Sequence, residues 1–472
     1  MIEDDVTITE QDLENWRRTH YSFQINSSQV NQTIIIMGWI SSKRDHGNVL
    51  FVQLRDNFGD IQVVVKKGSI ESKNFDILKI LKEHSSIAIK GKVVGQKKSA
   101  DSVEIIPEEI KVLSISTKTS PFLTQAISSI GIDTRLEIRA LDLRRNYLQN
   151  IFKIRFTLLN SIREFLVANY FIEVNTPKMI ATATEGGSAL FPIFYYNKEA
   201  FLAQSPQLYK EQLTMAFENV FEIAPIFRAE PSRTNRHLSE AISIDVEKAF
   251  VNYNDVMELL DGLVYFVVNK IKEKNQLEIN NLGIELPDIK IPFPRYNYSD
   301  LIDKLQKSHK YIRWGDDISP KILKDIVGEN FYYITDWPLS TKPFYVKPKN
   351  THPDDNDPLE SNPEENGNQL PDKDQEKDGT RILSESFDLM YGTLELSSGS
   401  TRIHNKNTLL NRMKKKGLNS VAFDYHLRVF DYGVPPHAGF GLGLERFVMA
   451  LLKIENIRDA TFYPRDIDRL TP

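Results

Sequence analysis

In the first quarter of the chain, apolar and polar positions alternate with a period of two, which predicts short, half-buried β-strands. Turn-forming residues such as Asn57-Phe58-Gly59-Asp60 separate the runs, as in hairpin connections. The predicted strands cover 33–40, 49–56, 61–65, 86–94 and 103–113, with a helix-like segment at 75–81 between the third and the fourth. This order favours an OB-fold barrel, although a small barrel without a ligand would show the same pattern.

The periodicity changes after a Ser- and Thr-containing segment around Pro121, which we predict to be a linker over 114–140. From 141 to 169, apolar residues recur at helical spacing, which is typical of an amphipathic helix. A short strand at 171–174 ends before Pro177, and strand-like and helix-like segments then alternate irregularly. The mixture predicts an α+β fold in which helices flank an antiparallel sheet.

Composition narrows the class of protein. Of the 472 residues, 41% are hydrophobic and 26% are charged, and there is no cysteine. The hydrophobic and charged fractions are ordinary for a globular protein. The absence of cysteine excludes disulfides, thiol nucleophiles and thiolate zinc sites. No window approaches the ~18 apolar residues of a membrane span, and the acidic N-terminus has no apolar signal-peptide core, so we expect a cytoplasmic protein. No glycine-rich phosphate loop opens a helix after a strand, which argues against P-loop and dinucleotide folds.

The net charge of −5 does not decide whether the partner is a nucleic acid. Much of the acid lies in one run within 349–379 that is rich in Asp, Glu, Asn and Pro. Such a composition cannot bury enough apolar surface to fold, so we predict a disordered, solvated insertion without a catalytic role. A regulatory or partner-binding role for it stays open. Without this run the chain is close to neutral.

Two segments place an arginine beside an acidic residue in apolar surroundings: Phe227-Arg228-Ala229-Glu230 and Leu444-Glu445-Arg446-Phe447. A buried guanidinium is costly unless it is paired or binds an anion, so the two together predict a pocket for a polyphosphate. Singly, the other polar groups in apolar strands are best read as surface residues or ion pairs. Collectively they indicate a ligand site; they are His237, Asp245, Glu247, Asp388, Glu395, Ser398 and Arg402.

These segments resemble the class II aminoacyl-tRNA synthetases: 227–240 is similar to motif 2, 439–447 to motif 3, and the helix and strand before Pro177 to motif 1. Further segments in the same order resemble the aspartyl family of the compact archaeal and eukaryote-like type. They are Thr184-Glu185-Gly186-Gly187-Ser188, Gln204-Ser205-Pro206-Gln207-Leu208-Tyr209-Lys210, Lys342-Pro343-Phe344-Tyr345, Ser386-Phe387-Asp388, Glu395-Leu396-Ser397-Ser398-Gly399, Arg402-Ile403-His404 and the ending 464–472.

The resemblance implies an OB-fold anticodon-binding domain over 1–113, a hinge over 114–140 and a class II catalytic domain over 141–472. It implies an aspartate–tRNA ligase that uses ATP with Mg²⁺ and forms a homodimer through motif 1. The aspartate α-carboxylate would attack the α-phosphorus of ATP, giving aspartyl-adenylate and pyrophosphate, and the aspartyl group would then pass from the adenylate to the 3′-terminal ribose of tRNA. Because no protein nucleophile is required, catalysis would rest on positioning and charge stabilisation.

The same resemblance implies roles at the ATP site. Arg228 would bind the α-phosphate and stabilise its transition state, and His237 would sit near the γ-phosphate. Arg446 would stack on adenine and reach the phosphates, while Glu230 would orient the adenine end. The oxygen ligands of Mg²⁺ would be Asp388, Glu395, which also counts as an ATP-binding residue, and Ser398.

For the amino acid, the resemblance implies that Lys210 and Arg402 clamp the side-chain carboxylate of aspartate. Gln207 and Asp245 would serve the α-amino end, and Ser398 would lie against the same substrate. A further residue of this site is Glu185, on a loop that would close over the substrate.

In the barrel, the resemblance implies anticodon recognition. Phe51 would stack on an unpaired base, while Arg44, Gln62 and Glu104 would bond to base edges. The alternative for Phe51 is a place in the barrel core, since it lies in an alternating strand.

One departure from the family pattern lies in motif 2. Many relatives carry an aromatic residue there that stacks on adenine, whereas this chain has Ala241 and Ile242. Adenine would then have one stacking face, supplied by Arg446.

Two alternatives to the aspartyl assignment stay open, namely an asparaginyl-tRNA synthetase and a synthetase-like paralogue that does not charge tRNA. The two cations favour a carboxylate substrate over an amide. The small residues Ser41 and Ala100, near the barrel loops, suggest an enzyme that charges both the aspartate and the asparagine tRNA.

Overall fold

The computed structural model describes residues 8–96, 102–122, 130–181, 190–308, 312–316, 318, 323, 328, 330–349 and 381–472. It divides the chain into two compact units, Met1–Leu123 and Thr124–Pro472. Glu185, Ala100 and the predicted insertion beyond Lys349 lie outside the described residues. None of the described helices is both long and apolar enough to span a bilayer.

The first unit is a closed five-stranded barrel. Its strands are β1 (Thr33–Asp45), β2 (Val49–Arg55), β3 (Asp60–Lys66), β4 (Ser86–Gly95) and β5 (Val103–Ser114), with α1 (Ser72–Ile80) between β3 and β4. They close in the order β1-β2-β3-β5-β4. In β2, Leu50, Val52 and Leu54 are buried while the residues between them are partly exposed, because successive side chains of a strand point to opposite faces. The predicted OB fold is confirmed.

The second unit contains the remaining strands. They are β6 (Ile172–Glu173), β7 (Met179–Ile180), β8 (Pro192–Tyr195), β9 (Lys198–Leu202), β10 (Asn219–Phe227), β11 (Glu240–Ala249), β12 (Arg295–Asn297), β13 (Phe331–Thr335), β14 (Ser386–Tyr391), β15 (Leu394–Thr401) and β16 (His437–Gly443). Eight of these strands form one sheet in the order β12-β13-β14-β15-β16-β11-β10-β6, and β7-β9-β8 form a small second sheet. In the large sheet only the two outermost pairs are parallel, so the predicted antiparallel α+β architecture is confirmed.

Helices of the second unit cover the sheet. The described helices are α2 (Ile132–Glu137), α3 (Arg139–Asp142), α4 (Asn146–Ala168), α5 (Gln207–Phe217), α6 (Tyr253–Lys274), α7 (Gln276–Leu282), α8 (Tyr298–Ser308), α9 (Lys406–Lys415), α10 (Asp424–Leu427) and α11 (Leu444–Leu452). The long helix predicted over 141–169 is α4, which packs against α6. Its residues Ile151, Ile154, Leu158 and Ile162 are fully buried, and each contributes roughly 1.5–3 kcal/mol of burial free energy.

A buried ion network fixes the segment that precedes α4. The Asp142 carboxylate, which is fully buried, pairs with Arg135 at 3.0 Å and with Arg139 at 2.5 Å. Arg139 also donates to the carbonyls of Arg458, Phe462 and Thr461. Part of the predicted linker is therefore helical and is bound to the C-terminal segment of the same unit.

Candidate active site

A cavity of about 310 Å³ opens on the large sheet of the second unit. Much of its lining comes from the central strands β10, β11, β14, β15 and β16 and from the first turns of α5 and α11, and the segments 236–238 and 342–346 add further residues. Most of the second-unit residues predicted from the sequence line it, namely Gln207, Lys210, Arg228, His237, Asp245, Glu395, Ser398, Arg402 and Arg446. Glu230, which is exposed after the end of β10, and Asp388, which is buried in β14, are not among the lining residues.

One end of the cavity is rich in positive charge. Arg228, Arg236, His237 and Arg446 all line it. Arg446 donates from Nη1 to the Glu395 carbonyl at 3.2 Å. Arg228 is exposed and not buried as its apolar surroundings in the sequence suggested, because it follows the last residue of β10, and its guanidinium has no partner among the described residues. Although His237 is exposed, partial loss of water around its ring, and then the charges of Arg446 and Arg228, lower its pKa. Arg446 Nη1 also lies 3.8 Å from Glu395 Oε1, so the three arginines at this end outnumber the carboxylate beside them, which is an arrangement that binds a polyphosphate.

The opposite end of the cavity has two buried cations. Lys210 is 2% exposed and Arg402 is 4% exposed. The Lys210 ammonium lies 3.1 Å from Asp245 Oδ1 and 3.3 Å from Glu247 Oε2. Arg402 donates from Nε to Glu247 Oε1 at 2.9 Å and from Nη2 to Oε2 at 3.3 Å. The two carboxylates balance the two cations, which is how a protein keeps such charges buried.

Glu247 is a site residue to which the sequence analysis assigned no role. It is fully buried on β11, two residues after Asp245, so the two carboxylates lie on the same face of the strand. Opposite it, Gly439 leaves the space that the carboxylate needs, because a Cβ there would lie 2.3 Å from Glu247 Oε2. The sequence indicated Glu247 only as one of several polar groups of a ligand site, and the Asp-x-Glu spacing in a buried strand is the signal that could have linked it to Asp245.

Two carboxylates, Asp388 and Glu395, lie near the end of the cavity that holds Arg228 and Arg446. Asp388 and Ser398 face each other across β14 and β15, and both oxygens of Asp388 accept from Lys342 Nζ at 3.2 Å. Although 49% of the Glu395 side chain is exposed, loss of water around its carboxyl in the cavity raises the pKa of that group, the charge of Asp388 raises it further, and Arg446 acts in the opposite direction. The described residues hold no cluster of three or more His, Asp or Glu side chains grouped as a metal site.

An apolar wall borders the same cavity. It consists of Ile226, Leu238, Ala241, Ile242 and Ile457. Their positions at the ends of β10 and β11 and in the C-terminal segment bring them together only through the tertiary fold. Ala241 and Ile242, which stand where many relatives have an aromatic residue, therefore belong to an aliphatic surface of the cavity.

The residues predicted in the barrel lie on its outer surface. Phe51 is partly exposed and does not belong to the barrel core; it lies opposite Arg44 in the β1–β2 pair. Gln62 donates from Nε2 to Glu104 Oε2 at 3.1 Å and accepts from Gln53 Nε2 at 3.2 Å. Aromatic, cationic and amide groups on one barrel face suit contact with unpaired bases.

Ser41 is buried in the barrel wall and does not face an external partner. Its hydroxyl donates to Asp60 Oδ1 at 2.8 Å and to the Gln53 carbonyl at 3.1 Å. Its small size therefore reflects barrel packing and carries no information about the anticodon.

Two protein-family models and several full-length relatives match this chain. The family described as "tRNA synthetases class II (D, K and N)" matches residues 131–467, and the "OB-fold nucleic acid binding domain" matches residues 34–113. The chain is 44% identical to the "Aspartate--tRNA(Asp/Asn) ligase" of Methanococcus aeolicus, over 98% of this chain and 99% of the relative. It is 42% identical to the protein of the same name from Archaeoglobus fulgidus, over 96% and 99%.

Solved structures with the same fold include synthetases for two amino acids. The asparaginyl-tRNA synthetase of Pyrococcus horikoshii, complexed with asparaginyl-adenylate, matches with a TM-score of 0.83 at 29% identity, over 97% of this chain and all of that one. The aspartyl-tRNA synthetase of Entamoeba histolytica matches with a TM-score of 0.77 at 28% identity, over 98% and 94%.

Proposed function

The chain belongs to the class II tRNA synthetases of the D, K and N group, and we propose that it is an aspartate–tRNA ligase. It would activate L-aspartate with ATP to aspartyl-adenylate, releasing pyrophosphate, and then transfer the aspartyl group to the 3′ end of tRNA, releasing AMP. The observation that carries this proposal is the pair of buried cations, Lys210 and Arg402, at one end of the cavity.

The pair favours aspartate over asparagine for an electrostatic reason. A substrate carboxylate can accept from both Lys210 and Arg402, which already lie side by side on Glu247. An amide in the same place would turn its NH₂ group toward one of the cations and leave that charge without an acceptor. The cost of such a mismatch is about 1–3 kcal/mol or more when the buried group is charged.

The other substrate groups would be bound by residues around these cations. Asp245, already 3.1 Å from Lys210, would accept from the α-ammonium group, together with Gln207. Ser398 lines the cavity beside them and would lie against the same substrate. Glu185 would complete the site from its loop.

At the end of the cavity that holds the three arginines, Arg228 would bind the α-phosphate and stabilise the charge that develops there during displacement. His237 and Arg446 would contact the outer phosphates, and Arg446 would also stack on adenine. The apolar wall that includes Leu238 and Ile457 would cover part of the base. Glu230 would act at the adenine end.

The carboxylates near this end fit a divalent cation. Two neighbouring acids, one with a raised pKa, are the hard oxygen donors that Mg²⁺ prefers, and the phosphates and water would complete its ligands. Asp388, Glu395 and Ser398 would hold the ion. Mg²⁺ would neutralise charge on the ATP phosphates when bound.

The barrel would bind the anticodon of tRNA, with Phe51 stacking on a base and Arg44, Gln62 and Glu104 contacting base edges. Charging of both aspartate and asparagine tRNAs is supported by the archaeal relatives, whose name includes both tRNAs.

We further propose a homodimer built on the edge of the large sheet. β6 is the outermost strand on that side, and the exposed apolar residues around it include Tyr170, Ile172 and Phe250. An unpaired strand edge with exposed apolar side chains is a typical self-association surface.

The deciding experiment is amino-acid-dependent pyrophosphate exchange with ATP, run with aspartate and with asparagine. We expect exchange with aspartate only; exchange with asparagine alone would overturn the proposal in favour of an asparaginyl enzyme. Charging purified aspartate and asparagine tRNAs with labelled aspartate then tests tRNA breadth. Product on only the aspartate tRNA would refute the broader specificity, and activation without charging of either tRNA would indicate a paralogue.

A further inference from the structure

A buried polar cluster beneath the amino-acid end of the cavity has no role in the proposed chemistry. It consists of Glu211 on α5, His426 on α10 and His437 at the start of β16, and all three are at most 1% exposed. Glu211 Oε2 lies 3.4 Å from His426 Nε2 and 3.7 Å from His437 Nε2. Three titratable groups withdrawn from water are costly to bury, so their presence calls for a function.

The neighbours of the two histidines define their protonation. His437 Nδ1 lies 2.8 Å from the Pro435 carbonyl, so it must donate; its Nε2 faces a carboxylate and is stabilised there only if it is also protonated. His426 Nδ1 accepts from Gln212 Nε2 at 3.3 Å, so its proton lies on Nε2, toward Glu211. The cluster is therefore a carboxylate held by an imidazolium and a neutral imidazole.

The carboxylate of Glu211 reaches the active site through one side chain. Its Oε1 accepts from Gln207 Nε2 at 2.7 Å, and the same amide nitrogen lies 3.5 Å from Glu247 Oε2. Both amide hydrogens of Gln207 are thus directed to buried carboxylates. The Gln207 carbonyl oxygen meets no donor in the described part of the chain, and Gln207 lines the cavity.

We propose that Glu211 is a positioning residue for amino-acid recognition: it fixes the Gln207 amide so that the carbonyl oxygen, which can only accept, faces the cavity and receives the substrate α-ammonium group. This inference rests on the proposed aspartate activation. His437 and His426 keep Glu211 ionised and in place. A rotated Gln207 would present its NH₂ group to the ammonium, and donor would then face donor.

The test separates ammonium recognition from the general integrity of the pocket. Glu211→Gln is compared with wild type for the KM of aspartate and the kcat in pyrophosphate exchange, and for the inhibition constant of succinate. Succinate has the two carboxylates of aspartate and lacks the α-ammonium group. We expect KM for aspartate to rise about tenfold or more, while kcat and the succinate inhibition constant change less than about threefold.

Controls address folding and the route of the effect. Thr214→Ala removes a buried side chain one turn further along α5, whose hydroxyl bonds, within the described residues, only to the Glu211 carbonyl; it should leave both constants unchanged. In a Gln207→Leu background, Glu211→Gln should add no further loss, since its effect passes through Gln207. If Glu211→Gln does not fold, Glu211→Asp replaces it, with a smaller shift expected in the same direction.

Equal weakening of aspartate and succinate, or additive losses in the double variant, would overturn the inference while leaving aspartate activation intact. A wild-type protein without aspartate-dependent exchange would instead refute the proposed function.

Discussion

At the residue scale, the amino-acid end of the cavity depends on balanced charge. Lys210 and Arg402 are positive, Asp245 and Glu247 are negative, and all four are at most 5% exposed. A buried pair of this kind stabilises the fold little, because desolvation cancels most of the attraction. Its value lies in holding donors rigidly where a substrate carboxylate arrives.

Arg402→Ala should remove one half of the carboxylate clamp and leave Glu247 without its bidentate partner. We expect kcat/KM for aspartate in pyrophosphate exchange to fall at least about a hundredfold. The dissociation constant for ATP, measured by calorimetry, should change less than about threefold. Lys347→Ala, in the segment whose backbone bonds to Thr401, removes a 40% exposed cation and should change neither value. Unchanged aspartate activation in Arg402→Ala would show that the clamp is wrongly assigned.

The Glu211–His437 pair should make stability depend on pH. Burial would raise the pKa of Glu211, but the two histidines outweigh it and lower the pKa below its ordinary 4.5. Burial would lower the pKa of His437, but Glu211, and then Glu247, outweigh it and raise the pKa above 6.5. The Glu211 contribution is therefore present above pH 4.5 and is lost as the pH falls through its folded value. The His437 contribution is present below pH 6.5 and is lost as the pH rises through its folded value.

We therefore expect Glu211→Gln to lower the free energy of unfolding by about 3 kcal/mol between pH 4.5 and pH 6.5, where both contributions are present. This deficit, the difference in free energy of unfolding between wild type and Glu211→Gln, should become smaller at higher pH, because wild type then loses the His437 proton. Urea unfolding at pH 5.5 and at pH 9 measures it, with Thr214→Ala as a variant whose deficit should not vary with pH. A Glu211→Gln deficit that is the same at both pH values would contradict the ionised pair.

At the element scale, the antiparallel pairing of β10, β11 and β16 brings distant segments of sequence into one cavity. Asp245 lies opposite Gly441, and Glu247 lies opposite Gly439. The glycines leave room for carboxylates that would otherwise meet a Cβ; at Gly441 that Cβ would lie 3.3 Å from Asp245 Oδ1. The strands act as a rigid frame, which suits a site that works by positioning.

Ile172→Asp should disrupt the proposed homodimer, because it places a charge among exposed apolar residues on the outermost strand. We expect the sedimentation coefficient to shift from dimer to monomer at micromolar concentration. Val421→Asp alters another exposed apolar residue, on the surface near α9, and should leave the dimer intact. A dimer that survives Ile172→Asp would place the interface elsewhere.

At the scale of the whole molecule, the barrel and the catalytic unit have separate hydrophobic cores. Each proposed task is confined to one of them, amino-acid activation to the second unit and anticodon contact to the first. Variants in one unit should therefore affect one reaction step and spare the other.

Phe51→Ala should test this separation. We expect kcat/KM for tRNA in aminoacylation to fall by about 5- to 150-fold, which corresponds to the ~1–3 kcal/mol of a stacked base, while pyrophosphate exchange without tRNA stays unchanged. Phe23→Ala removes another exposed aromatic side chain of the same unit and should affect neither reaction. A Phe51→Ala protein with normal charging would remove Phe51 from the anticodon site.

Replacing residues 351–379 by a six-residue Gly-Ser linker should leave aspartate activation within about twofold of wild type. The chain ends on either side are adjacent, because the Lys349 amide donates to the Leu383 carbonyl at 2.9 Å. Shortening the connection should raise the free energy of unfolding by about 1 kcal/mol through loop closure. Activity and urea unfolding of the shortened protein measure both effects; a large loss of activation would assign the acidic run a catalytic role.

The sequence by itself determined the class of fold and the family. A period of two in the barrel and of 3.6 in α4 follows from local backbone geometry, and it is visible wherever one face of an element is buried. Arg228 and Arg402 could be named because charged residues in apolar strands indicate a ligand site, whereas Lys210 could be named only through the family resemblance. The helices within the predicted linker were not recognised, because their stability comes from the distant partner Asp459 and the carbonyls of 458–462.

Only the tertiary structure decided how those charges are shared. Three features depend on contacts that the tertiary structure creates. Glu247 pairs with both cations, Glu211 orients Gln207, and Ser41 is buried. Local pattern carries no information about such contacts, since they arise from sheet register and from helix packing. The sequence thus identifies the groups that can do the chemistry, and the fold assigns each of them its neighbour.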